Sequence, residues 1–111
     1  MIIGIIDVGS NSFHLSLYTI TNAGTIIRRE DYSRLNKVGA SVRAGDPLSR
    51  ELMHEGARLV TELKERALAR GATECGAFAT GVFRTIANGH AVIEMWSTMA
   101  DLSINLLTAR Q

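Results

Sequence analysis

An aspartate that interrupts an apolar run, followed at once by glycine and small hydrogen-bond donors, is a combination suited to anions. Here Asp7-Val8-Gly9-Ser10-Asn11-Ser12 comes directly after Ile2-Ile3-Gly4-Ile5-Ile6. Glycine lets an anion approach the backbone, successive N–H groups can share one concavity, and the hydroxyls and amide add neutral donors. Such a nest fits a phosphate. Asp7 beside it puts a carboxylate where a Mg²⁺ bridging phosphate oxygens could be held, directly or through water. By spacing alone an ordinary hairpin turn fits as well; a carboxylate inside an apolar strand shifts the reading toward function. A second point of chemistry is Arg84, which follows the strand end Thr80-Gly81. Ligands gather at such ends in α/β sheets, and a guanidinium fork matches phosphate oxygens, although on the residues alone a surface arginine is the plainer reading.

The elements that must hold these residues are legible from periodicity. Residues 2–8 are β-branched and nearly continuous in hydrophobicity, the pattern of a central strand covered on both faces. Phe13 to Ile20 alternates, with Phe13, Leu15 and Leu17 on one side. Thr21-Asn22-Ala23-Gly24 is a turn, and Thr25 to about Tyr32 is a third strand whose charges suit a sheet edge. A loop from Lys37 to Asp46 ends at Asp46-Pro47-Leu48-Ser49, which can cap a helix over 50–70. Its apolar residues Leu52, Gly56, Leu59, Val60, Leu63 and Ala67 recur at helical spacing, and Gly71 ends it. Glu74 to Ala79 is a short strand placed parallel to the first, a helix runs from about His90 to Met99, and Ser103 to Thr108 is a last strand. The order βββαβαβ, with right-handed crossovers, predicts an α/β fold of ribonuclease H-like type: a mixed five-stranded sheet in the order 3-2-1-4-5 with helices packed on it.

Composition sets the bounds. The 111 residues make one domain that buries roughly 65% of its unfolded surface. A net charge of +1 supplies no global field for DNA or an anionic membrane, so any polyanion must be captured locally. Six basic residues between Arg28 and Arg50 face three acidic ones there, which reads first as a solvated edge and loop. The lone Cys75 forms no internal disulfide, no Cys and His pattern has metal-ligand spacing, and a cytoplasmic location fits best. Cys75 reads as a small core residue. His14 is expected to bond a strand neighbour, His54 and His90 to lie exposed on helices, and Glu51 and Glu55 to be solvated. Met95, Trp96 and Met99 read as the packing face of the second helix.

Ile5-Ile6-Asp7-Val8-Gly9-Ser10-Asn11-Ser12-Phe13-His14-Leu15 resembles the opening motif of the exopolyphosphatase and guanosine pentaphosphate phosphatase family, within the actin and sugar-kinase superfamily. The Ser-Asn-Ser-Phe-His extension separates it from sugar kinases. Leu48-Ser49 before a long helix agrees, as does Ala79-Thr80-Gly81-Val82-Phe83-Arg84 with Ala87-Asn88-Gly89, similar to the family's Ala-Thr-Ser-Ala-Leu-Arg block with its Asn-Gly. The resemblance implies that Gly9, Ser10, Asn11 and Ser12 form the first phosphate loop. It also implies that Thr80, Gly81 and Arg84 bind phosphate, and that Asp7 belongs to the catalytic region with Mg²⁺. Lys37, ahead of Gly39, stands roughly where the family often has a basic residue.

The departures bear on activity. Where the family has Ser-Gly-x-Glu-Glu-Ala, with the second glutamate its proposed general base, this chain has Thr108-Ala109-Arg110-Gln111 and the sequence ends. The glycine-rich second phosphate loop is also absent. Residues 1–111 are therefore expected to be the N-terminal subdomain of a hydrolase acting on the terminal phosphoanhydride of polyphosphate or guanosine pentaphosphate. They should be nearly inactive alone and be completed by a second half-domain. The alternative is a non-catalytic phosphate- or nucleotide-binding module that pairs with another chain, a homodimer included.

Overall fold

The computed structural model describes residues 1–36 and 42–107; Lys37, Gly39 and the segment 108–111 lie outside them. The β-branched opening run forms β1 (Ile2–Val8), and the alternating stretch after the loop forms β2 (Ser12–Ile20). They pair antiparallel from Ile2 opposite Thr19 to Val8 opposite Phe13. The third strand, β3 (Ile26–Leu35), is longer than its charges suggest and continues to Leu35, opposite Ser12. A register shift between Leu17 and Tyr18 leaves Arg29 without an opposite residue, a bulge that blunts this edge against further pairing.

Helix α1 (Arg50–Ala69) starts where Ser49 Oγ accepts the Leu52 N–H at 3.3 Å, and ends with Gly71 at φ +94°, a value that suits glycine. Then follow β4 (Glu74–Ala79), a short 3₁₀ turn (Gly81–Arg84), helix α2 (Gly89–Ala100) and β5 (Ile104–Leu106). β4 and β5 are parallel additions, so the sheet order is β3-β2-β1-β4-β5, as the sequence predicts. β5 is three residues rather than six, and residue 108 lies outside the description.

The core lies on one side of the sheet. Ile6 and Val8 of β1, and Phe13, Leu15 and Leu17 of β2, meet Leu59, Val60 and Leu63 of α1. At Gly4 a Cβ would come within 3.0 Å of Ala67 Cβ, so glycine lets α1 sit close on β1. α2 enters this core through Trp96, which is fully buried and donates Nε1–H to the Met53 carbonyl at 2.7 Å. Phe13 and Phe83 meet the indole edge-on, at centroid distances of 5.5 and 5.4 Å. Met99, expected on this packing face, points outward instead, at 55% exposure.

β1 is covered on one face only among the described residues, contrary to the expectation of a strand buried on both sides. Ile3, Ile5, Tyr18, Ile20 and Ile26 line a shallow apolar groove on the bare face, with Ile5 38% and Ile26 66% exposed. Handedness explains this. The chain moves in the same direction across the sheet from β1 to β4 and from β4 to β5, so two right-handed crossovers place α1 and α2 on the same side.

Candidate anion site at the ends of strands one and four

β1 and β4 are adjacent and parallel, so their C-terminal ends open side by side, bringing together the two segments singled out from sequence. Asp7 lies between His14 on β2 and Phe78 on β4. Its Oδ1 is buried and has no hydrogen-bond partner among the described residues. Burial pushes the carboxyl above its ordinary range, and the nearby His14 pulls the other way. An orphaned carboxylate oxygen costs stability, which points to a group the fold itself does not supply.

The loop after β1 is fastened from within and from outside. Gly9 donates its N–H to the Ser12 carbonyl at 3.1 Å, and a Cβ at position 9 would lie 2.8 Å from that oxygen. Asn36, just beyond β3, donates Nδ2–H to the Gly9 carbonyl at 3.3 Å and its backbone N–H to the Asn11 carbonyl at 2.9 Å. Three loop carbonyls are thus engaged. The N–H groups of Ser10 and Asn11 have no protein acceptor among the described residues, and Asn11 is exposed. What the loop shows to solvent is therefore weighted toward donors.

The Thr80–Arg84 segment touches this loop at one point. Ser10 Oγ accepts the Val82 N–H at 3.0 Å, which leaves its own proton to donate elsewhere. Gly81, at φ +65°, lies under that hydroxyl, and a Cβ there would overlap it. Phe83 anchors the turn in the core against Trp96, so Arg84 is carried outward, exposed and without an acidic partner among the described residues. Thr80 is half-buried in extended backbone and makes no side-chain cap bond.

His14 bonds its strand neighbours as expected: Nδ1 lies 2.6 Å from Ser33 Oγ and Nε2 lies 3.4 Å from Asp31 Oδ1, itself held by Arg28. His54 and His90 are exposed. Cys75 is half-buried against the core and burial raises its thiol pKa, which disfavours the thiolate. Two residues escaped the sequence reading in their structural roles. One is Asn36. The other is Asn88, whose Oδ1 accepts the Leu48 N–H at 2.8 Å while its Nδ2 donates to the Leu48 carbonyl at 3.3 Å, pinning the segment before α1 to that before α2.

No protein-family model matches the sequence, and no curated protein matches it. Solved structures do. The Ppx/GppA phosphatase of Aquifex aeolicus, in its type II variant, superposes with a TM-score of 0.87 at 22% identity over 98% of this chain. An exopolyphosphatase from Cytophaga hutchinsonii superposes at 0.85 and 18% identity over 96%. The chain has the fold of these phosphatase structures. It spans 36% and 34% of their chains, about a third of each. The ribonuclease H-like architecture expected from element order is thereby shown. No helix among the described residues is long and apolar enough to cross a membrane.

Proposed function

We propose that these residues are the N-terminal, phosphate-binding part of an exopolyphosphatase-like phosphohydrolase. The whole would cleave terminal phosphoanhydride bonds of polyphosphate or guanosine pentaphosphate. The supporting observation is the donor-weighted loop of Gly9 to Ser12 set beside the orphaned Asp7 carboxylate, in a chain of this fold. Ser10 and Asn11 offer N–H groups to phosphate oxygens, Ser10 and Ser12 offer hydroxyls, and Arg84 adds a charge-assisted fork. Loop and guanidinium together recognise a chain of phosphates better than a single one.

Mg²⁺ fits Asp7 in a limited way. Among the described residues no three carboxylate, histidine or cysteine side chains converge to hold a metal, so the protein supplies one carboxylate and phosphate oxygens and water must supply the rest. That is an ordinary donor set for Mg²⁺, which would neutralise charge on the bound phosphates. With no general base assigned among these residues, binding without turnover is the activity proposed for them, in a cytoplasmic setting.

Titration of the chain with tripolyphosphate, followed by amide shifts, tests this. The Ser10 and Asn11 amides should move, and Arg84→Ala should weaken binding about tenfold, the worth of one charge-assisted contact. Unmoved Ser10 and Asn11 amides at millimolar ligand would sink the proposal. A second reading, the binding module that pairs with another chain, is favoured by the bare apolar face around Ile5, at the end of the sheet remote from the loop and Arg84. It predicts self-association on concentration, seen by sedimentation and abolished by Ile5→Glu. A chain that stays monomeric removes the homodimer form of that reading.

A further inference from the structure

A loop that takes anions beside the Asp7 carboxylate needs something that sets its preference for that sign of charge. A four-residue loop carries carbonyls as well as N–H groups, and beside Asp7 freely oriented carbonyls would complete a cation site instead. Here three of those carbonyls are occupied, two of them by a single residue just beyond β3. Asn36 donates Nδ2–H to Gly9 and its N–H to Asn11, while the Ser12 carbonyl is taken by Gly9 itself. The fourth constraint is Val82, whose N–H takes a lone pair of Ser10 Oγ and so leaves the hydroxyl its proton to donate. Left without a protein partner among the described residues are three donors, the Ser10 and Asn11 N–H and the Ser10 O–H, against one backbone acceptor, the Ser10 carbonyl.

We propose that Asn36 is the residue that sets the anion selectivity of the loop, acting as a positioning residue by holding its carbonyls away from the ligand. The inference rests on the phosphate-binding reading of Gly9 to Ser12 and adds to it the device that decides which sign of charge binds. Asparagine suits the post because its amide donates where an isosteric aspartate can only accept. The single change Asn36→Asp removes the donor to Gly9, frees that carbonyl and adds a second carboxylate to the neighbourhood of the loop.

The test measures two ligands on each protein: tripolyphosphate by amide shifts, and Tb³⁺, a luminescent hard cation, in phosphate-free buffer. Asn36→Asp should weaken tripolyphosphate about tenfold or more and tighten Tb³⁺ by about the same factor, reversing the preference. Asn36→Ala, which frees the carbonyl without adding charge, should weaken tripolyphosphate by a few-fold and change Tb³⁺ little; it also serves if Asn36→Asp fails to give a folded spectrum. A purely structural role would lower the melting temperature and leave the ratio of the two affinities unchanged, and that result overturns the proposal. The cation arm keeps the two readings apart. A wild-type chain that ignores tripolyphosphate defeats the phosphate reading, whereas Tb³⁺ affinity unchanged by Asn36→Asp defeats the role of Asn36.

Discussion

Gly56→Ala should lower the melting temperature by about 10 °C or more, because the added methyl has nowhere to go. A Cβ on residue 56 of α1 would come within 2.7 Å of three atoms of the Trp96 ring. The indole cannot retreat: it is fully buried, tied to the Met53 carbonyl, and held edge-on by Phe13 and Phe83. Two effects oppose each other. Alanine gains about 1 kcal/mol of helix propensity over glycine, while overpacking a rigid core costs about 1–3 kcal/mol and more when the obstacle is a ring. The clash wins, by about 2 kcal/mol or more, which at 4–8 °C per kcal/mol gives the stated fall. Gly76 is the control, since a Cβ there meets no heavy atom within 4 Å, and Gly76→Ala should melt at or slightly above the parent. A Gly56→Ala protein melting within 3 °C of the parent in a calorimetric scan would mean that Trp96 has room the packing does not show.

Asp7→Asn is expected to do the opposite, stabilising the fold while damaging the site. The Asp7 pKa is raised by burial, so between the unfolded value and the higher folded value the native state binds more protons than the unfolded chain. Stability contributed through this group therefore falls as pH rises through that window, and its cost is complete at neutral pH. Asparagine removes the charge and with it the cost, worth about 1 kcal/mol after allowance for the solvent that reaches this half-buried residue, or about 4–8 °C at pH 7. The surface carboxylates run the other way. Glu30, bonded by Arg70, and Glu62, bonded by Arg34, have lowered pKa values, so their stabilisation is present above the unfolded value and lost as pH falls through the folded one. Acid melting thus superposes a relief at Asp7 on losses at Glu30 and Glu62, and Asp7→Asn should steepen the decline below pH 5. The same variant should lose the Mg²⁺-dependent part of tripolyphosphate binding. A melting temperature at pH 7 equal to or below the parent's would show that the orphaned oxygen carries no cost.

Much of this arrangement can be read from residues because it is local. β1 and β4 have the limits their apolar runs suggest, Ser49 caps α1, and the loop at Gly9 follows from glycine and small donors in a row. What escaped depends on contacts distant in sequence. Asn36 acts on carbonyls 27 and 25 residues away, and nothing in the run Leu35-Asn36 marks it. Asn88 grips Leu48 across 40 residues. The bare face escaped for another reason: hydrophobicity says that Ile3 and Ile5 prefer burial, whereas which face a helix covers is fixed by the handedness of the crossovers. Met99 turned outward because α2 meets the core along the Trp96 line, and a residue three positions on lies past its edge.

The hydrogen bond from Val82 to Ser10 joins positions 72 apart, while the loop it steadies is the tip of a hairpin whose strands are neighbours in sequence. The two halves of the site therefore differ in assembly. The hairpin closes a short loop at little entropic expense, but Val82 can reach Ser10 only after β4 has found β1 across a crossover that contains all of α1. Pairings of such sequence separation form slowly. A nascent chain thus holds the loop after β1 before it holds the turn that carries Arg84 beside it, and the two segments meet only when β4 docks on β1.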